Sequence, residues 1–474
     1  MHALPTGFSS WFSGEKWKER VLTFDPSWYL VNMGTGIIVQ LLAANFPWPA
    51  QWLHTLGYIF WILDVCLFGF FTAMSAARAV MFPKISLGVL NDLQQTCYLG
   101  TVAIGWETVG TGVVVFYSDN EPAVYVAQIF FWIAVVMTMF VTFGGVYALY
   151  RHQGQHSLDE VTGAWYVLSE WPSIRKADRF RFLLFIPMIV AAAYGSVLAN
   201  AVSLKNGVVV IAVSFLMVSL GMGCSFLVLG IYFWRLMASH LPARGAIVST
   251  FVPVGPSSMA AYAILNLSVA LARNISMQGF AFNQSWEPAV TQATIAAVAE
   301  MIMWTGVISA LFLLGLATFF LIEAVAAVIT KVPKTFNIGI WSFVFPVGVY
   351  ANAWCRMSTL LRNDAMKGWA ATCVVFTVLL WLMCALLTTY KGVLHGKLFF
   401  APGLQGWVEK KELEELSEGK GRSKEDVLDA MQGEASNGHG LASTGHGHSL
   451  RRRHPNNDGS YETFDAGNRT NGAV

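Results

Sequence analysis

Charge is the scarcest ingredient of this sequence: Asp, Glu, Lys and Arg supply 12% of its 474 residues, against about 25% in an ordinary soluble domain. A chain this long, folded in water, would need far more ionised surface, so lipid is expected to cover much of it. The net charge of +2 is too small to call for a nucleic-acid partner. Cysteine is sparse: the six are Cys66, Cys97, Cys224, Cys355, Cys373 and Cys384, all inside apolar stretches and without CxxC spacing. Buried free thiols are therefore expected, not a disulfide framework or a zinc site. The sequence also lacks a cluster spaced to ligate a metal, a phosphate-binding glycine loop and a nucleophile–base pair, so neither an enzyme nor a bound cofactor is expected. No cleavable leader is expected, because Trp11, Phe12, Glu15, Lys16, Trp17, Lys18, Glu19 and Arg20 break up residues 1–26. The first apolar run then acts as an uncleaved anchor.

What the sequence does have is length in its hydrophobic runs. A helix needs roughly 20 apolar residues to cross a hydrocarbon core about 30 Å thick. Ten runs meet that, near 27–45, 54–77, 95–117, 122–150, 182–204, 206–234, 246–272, 301–322, 336–355 and 368–390. They are continuously apolar, which excludes a β-barrel, and predict an all-α polytopic membrane protein of ten transmembrane helices. Very short connections, such as Asn45 to Pro49 and Ser118 to Glu121, pair consecutive spans into five hairpins. Three regions result: an amphipathic cytoplasmic segment 1–26, a transmembrane domain 27–391 and a cytoplasmic tail 392–474. In the tail, 404–416 has the pattern of a short surface helix, and the remainder is too polar to fold.

Orientation follows from the cationic residues beside the spans. With both termini inside, the cytoplasmic segments hold Lys16, Lys18, Arg20, Arg78, Lys84, Arg151, Arg175, Lys176, Arg179, Arg181, Arg235, Arg244, Lys331 and Lys334. The outer segments hold only Lys205, Arg273, Arg362 and Lys367. Two N-glycosylation sequons, at Asn274 and Asn283, then fall in an outer loop between spans seven and eight.

Intramembrane proline is confined to odd-numbered spans: Pro187 in the fifth, Pro253 and Pro256 in the seventh, Pro346 in the ninth. Glycines reinforce the pattern, with Gly34-Thr35-Gly36 in the first span, Gly100, Gly105, Gly110 and Gly112 in the third, Gly255 in the seventh and Gly348 in the ninth. Helix breaks free backbone groups that lipid cannot satisfy, so they belong beside protein or a water-filled path. The odd spans are therefore expected to form an inner ring around a path and the even spans an outer ring. Packing is the alternative explanation for any single glycine. The inner spans also offer Asn32, Thr35, Thr108, Ser257, Ser258 and Asn352, which can stabilise an anion without a fixed countercharge. A transporter or channel fits better than an enzyme.

Ionisable residues inside the membrane are candidates for function. Glu107 lies mid-way through the third span, where an ionised carboxylate would repel an anion. One expectation is that it carries a proton for part of the cycle and couples proton movement to anion release. The other is a static carboxyl, bonded at a helix break or paired with Arg356. Asp64, in the second span, is expected to make a helix–helix hydrogen bond. Arg356, toward the outer end of the ninth span, either draws anions to the mouth or snorkels.

Several motifs carry a family resemblance across residues 24–392. They are Phe24-Asp25-Pro26, Met33-Gly34-Thr35-Gly36-Ile37, Asn45-Phe46-Pro47-Trp48-Pro49-Ala50-Gln51-Trp52-Leu53, Tyr232-Phe233-Trp234-Arg235-Leu236, Gly255-Pro256, Gly339-Ile340-Trp341 and Phe345-Pro346-Val347-Gly348. In this order they resemble the fungal sulfite efflux pump family, within the tellurite-resistance/dicarboxylate transporter and slow-anion-channel superfamily. The resemblance implies a central anion pore in each subunit, a homotrimer in the plasma membrane, and sulfite or bisulfite as substrate. A C4-dicarboxylate such as malate, or passive conduction through the same fold, is the alternative. It also implies that Phe345 plugs the pore. An aromatic ring in a narrow path excludes water and raises the barrier for a hydrated anion. Phe343, two residues or about 200° away around a helix, cannot face the same pore.

Overall fold

The computed structural model describes residues 14–83, 86, 93–151, 184–238, 247–278, 292–332, 336 and 338–394, and every regular element among them is helical. A short amphipathic helix, α1 (Gly14–Thr23), packs on α3. The Phe24-Asp25-Pro26 motif then starts the first span with a built cap. The Asp25 carboxylate accepts the Ser27 N–H at 2.7 Å and also the Ser27 hydroxyl, and Pro26 opens a 3-10 turn where its missing N–H costs nothing.

The first span is that turn followed by α2 (Tyr29–Val39) and a π turn, Gln40–Ala44. Then come α3 (Gln51–Met81), α4 (Leu93–Tyr117), α5 (Glu121–Arg151), α6 (Ile186–Leu198) and α7 (Leu204–Ala238). The seventh span is a 3-10 segment, Ile247–Phe251, leading into α8 (Val254–Gln278), and α9 (Gln292–Thr330) is the eighth. The ninth repeats that construction, with 3-10 residues Ile338–Phe343 before α10 (Val344–Leu361). The tenth is α11 (Asp364–Thr388), which closes in a second π turn. Between α10 and α11, Arg362 takes a left-handed φ of 51°, and the Asn363 side chain caps α11 by accepting the Met366 N–H at 3.0 Å.

Consecutive spans contact one another as five antiparallel hairpins, α2/α3, α4/α5, α6/α7, α8/α9 and α10/α11. The odd spans also contact one another in cyclic order: α2 touches α4, α4 touches α6, α6 touches α8, α8 touches α10, and α10 returns to α2. Burial divides the two sets. In an 18-residue stretch of the first span 89% of residues are buried, against 17% in the second. Large apolar side chains on the even spans, such as Phe140, Leu227, Phe312 and Leu386, face outward, as a lipid-facing surface requires.

The described helix of the fifth span, α6, has 13 residues, about 20 Å at 1.5 Å per residue, and nine other helices among the described residues are each long and apolar enough to span. Two expectations need correction. The prolines do not kink helix interiors. Pro187, Pro256 and Pro346 stand in the first turns of α6, α8 and α10, and Pro253 lies just ahead of α8, so breaks exist but are made as fresh helix starts. The cysteines, free where described, are not uniformly buried: Cys355 and Cys384 are, whereas Cys66 is exposed. Asn283, the tail with its 404–416 segment, and residues 1–13 lie outside the described residues.

Candidate functional site

Buried polar side chains form two hydrogen-bonded clusters. The first joins α2, α3 and α4 around Asp64, which is fully buried. Asn32 Nδ2 donates to Asp64 Oδ1 at 2.5 Å and to the Asp64 carbonyl at 3.0 Å, while the Thr108 hydroxyl lies 3.0 Å from Asp64 Oδ2 and 2.9 Å from the Gly105 carbonyl. Two glycines make this possible. A Cβ on Gly105 would overlap Asn32 Oδ1, and one on Gly36 would overlap the Thr108 side chain. These residues serve close helix approach, and Asp64 makes the helix–helix hydrogen bonds expected of it, to two neighbouring spans at once.

Glu107 precedes Thr108 but turns elsewhere. It is fully buried, and neither carboxylate oxygen has a hydrogen-bond partner. The Thr111 hydroxyl bonds the Glu107 backbone carbonyl at 2.7 Å, not its carboxylate. Nearby on α6, the Tyr194 phenol donates instead to the Ala127 carbonyl at 2.6 Å. The expected alternative pairing of Glu107 with Arg356 is absent: Glu107 has no partner and Arg356 Nε is buried without one.

The second cluster joins the end of α2 to α8 and α10. Asn45 Nδ2 donates to Asn352 Oδ1 at 2.8 Å and to the Tyr262 hydroxyl at 3.1 Å, and Asn352 Nδ2 donates to Gln40 Oε1 at 3.0 Å. The π turn makes this contact, since the Asn45 N–H reaches back five residues to the Gln40 carbonyl at 3.0 Å. Of these four residues only Asn352 stands out from the sequence as a candidate site residue; Asn45 enters only through its motif, and Gln40 and Tyr262 not at all, although two amides in an otherwise apolar run, Gln40 and Asn45, are a usable signal.

The remaining candidates are placed as follows. Thr35 bonds the Val31 carbonyl at 2.7 Å and accepts the Trp381 indole N–H at 3.1 Å. Gly34 lies under the Trp341 ring, and Gly348 lies against Ile37. A Cβ on Gly255 would come within 3.9 Å of the Pro346 ring, so the two helix starts meet there. Ser257 and Ser258, in the first turns of α8, are fully buried with both hydroxyls unpartnered, and Pro253 is buried just before them. Phe345 is the second residue of α10 and 2% exposed, whereas Phe343 ends the 3-10 segment and packs edge-on against Phe251, with centroids 4.1 Å apart. Asn274 lies within α8 and is 5% exposed, unlike the open loop setting its sequon implied. No group of three or more His, Cys, Asp or Glu able to hold a metal occurs among the described residues.

Comparison with known proteins places this arrangement. The family model for the voltage-dependent anion channel SLAC1 matches residues 23–389. A sulfite efflux pump, SSU1, of Arthroderma otae is 27% identical over 389 residues, covering 80% of this chain and 95% of the relative. Its counterpart in Trichophyton rubrum is 27% identical over 390 residues with the same coverage. A malic acid transport protein of Schizosaccharomyces pombe is 21% identical over 373 residues, covering 77% of each chain.

Proposed function

We propose that this chain, which belongs to the SLAC1 family of voltage-dependent anion channels, exports sulfite or bisulfite across the plasma membrane. It is a multi-pass membrane protein of an anion-transport family. The observation that carries the narrower reading is the likeness to the sulfite efflux pumps of Arthroderma otae and Trichophyton rubrum, at 27% identity over 95% of their own length, above the 21% shared with the malic acid transporter and the 19% shared with a Saccharomyces cerevisiae sulfite efflux pump. The physics of the interior is compatible. Buried hydroxyls on Ser257 and Ser258 and the newly started helices α8 and α10 present neutral donors, which can replace part of an anion's hydration without trapping it.

In this reading Phe345 is the gate. Six residues of 3-10 helix, rising about 2 Å each, bring the chain about 12 Å into the ninth span, so Phe345 stands near half the depth of a hydrocarbon core about 30 Å thick. Pro346 follows it, and the helix start at Val344 supplies a joint at which the ring can swing. Both termini face the cytoplasm, and the protein assembles as a homotrimer in which each subunit keeps its own path. Glu107 holds a proton for part of the cycle.

Flux into proteoliposomes tests the reading, with sulfite and malate compared at equal concentration and with pH gradients imposed. Sulfite flux well above malate flux is expected. Malate flux without sulfite flux would transfer the assignment to dicarboxylates, and no flux of either would remove it.

A further inference from the structure

Hydrogen bonds in the second polar cluster leave a surplus on one side of the ledger. The Oε1 of Gln40, the Oδ1 of Asn352 and the hydroxyl oxygen of Tyr262 each accept a hydrogen bond from an amide. Among the described residues no acceptor lies within hydrogen-bond distance of Gln40 Nε2, and the Tyr262 phenol has the Asn266 and Asn352 side chains beside it as well as Asn45. With the amides placed this way the spare donors are on Gln40 and Tyr262; reversing all three would move the spare donor to Asn45 Nδ2.

Arg356 adds a charge to that surplus. It lies one helical turn beyond Asn352, hence on the same face of α10, and it is close enough to the Tyr262 phenol to act on it electrostatically. The side chain is partly buried, its Nε is unpartnered, and no carboxylate pairs with it among the described residues. Asp64 is bonded to Asn32 and Thr108, and Glu107 has no partner. An arginine drawn out of water without a counter-ion is costly unless an anion completes it. A guanidinium one helical turn from this cluster, added to a phenol and an amide N–H₂, makes a donor set suited to several oxygens on one small centre.

We infer that Gln40, Tyr262 and Arg356 form a binding site for a small oxyanion, held in shape by the Asn45–Asn352 clasp. The site rests on the transport reading above and deepens it. Eleven residues of α10, about 16 Å of helix, separate Phe345 from Arg356, so the site and the gate are distinct stations. The site lies at the end of the bundle that the charge bias assigns to the outside, where an exported oxyanion pauses after passing Phe345.

Calorimetric titration of the purified, detergent-solubilised protein with sodium sulfite at fixed pH and ionic strength tests the inference without relying on transport. Arg356→Gln is expected to weaken sulfite binding at least tenfold, Tyr262→Phe about threefold to tenfold, and Arg362→Gln not at all. Retained binding in folded Arg356→Gln, or an equal loss in Arg362→Gln, would overturn the site and leave only diffuse attraction to positive charge. Should Arg356→Gln fail to fold, Tyr262→Phe decides alone, and unchanged affinity in it refutes the site. In flux assays the same variants are expected to alter the sulfite concentration dependence more than the limiting rate. Loss of binding with parental flux intact would sink the site as a transport station. A parent that carries no anion would sink the transport reading while leaving the calorimetry to be judged by itself.

Discussion

Gly105→Ala puts the first cluster to a quantitative test. The added methyl has one direction to take, into the space held by Asn32 Oδ1, with the Phe68 ring 3.1 Å to the side. Asn32 must therefore retract, and the 2.5 Å bond to the Asp64 carboxylate goes with it. Losing the bond while its buried partner stays unsatisfied costs about 1–3 kcal/mol, and forcing a methyl into a packed interior costs about 1–3 kcal/mol more. The expected total is thus about 2–6 kcal/mol. Asn32→Ala alone forfeits the same bond but opens the space, so the double variant should cost little more than Asn32→Ala. Its coupling energy would approach the whole cost of Gly105→Ala, about 2–6 kcal/mol, far outside additivity. Gly69→Ala is the control: it lies on α3, the helix that carries Asp64, no atom lies within 4 Å of its added Cβ, and alanine favours helix by about 1 kcal/mol. Thermal loss of the monodisperse peak in size-exclusion chromatography reads all four proteins. The reasoning fails if Gly105→Ala matches the parent, or if the two substitutions add.

Three other outcomes are expected. Phe345→Ala should raise anion leak in proteoliposomes severalfold while Phe343→Ala, whose ring packs against Phe251, should not; a leak confined to Phe343→Ala would refute the gate. Glu107→Gln should flatten the pH dependence of flux, measured with nitrate so that the substrate's own titration does not contribute; an unchanged pH profile would exclude proton coupling through this carboxyl. If glycan is attached, Asn283→Gln should remove more of the endoglycosidase-sensitive mobility shift than Asn274→Gln, because Asn274 is buried within α8; the reverse ranking would show that this part of α8 opens before modification.

The hairpins and the division into buried and lipid-facing spans were legible because they depend on apolar length and connection length, which are local. The short fifth helix was not, since an apolar run does not say how much of itself is helical. Proline marked where odd spans are interrupted but not how: a first-turn proline and a mid-helix proline look alike until the helix start is known, as at Pro256 and Pro346. Gly36 and Gly105 were picked out as breaks, yet their neighbours Thr108 and Asn32 show them making room between α2 and α4. Pairings such as Asn45 with Asn352 depend on the register of helices 307 residues apart in the chain, which no single-span pattern carries.

The π turn at Gln40–Ala44 has a consequence for how this protein can vary. Each α-helical residue advances about 100° around the axis, and a turn whose hydrogen bond reaches back five residues instead of four stores one added residue of phase. That step points Gln40 and Asn45 together at α10, and brings Ala43 against Gly57 of the next span. Length, more than chemistry, is therefore what this stretch must preserve. Leu41 or Leu42 should exchange for another aliphatic residue with little effect, whereas deleting either one would rotate everything downstream by a quarter turn or more and separate the first hairpin from the ninth span. Lineages of this protein should accordingly tolerate substitutions here and reject insertions and deletions.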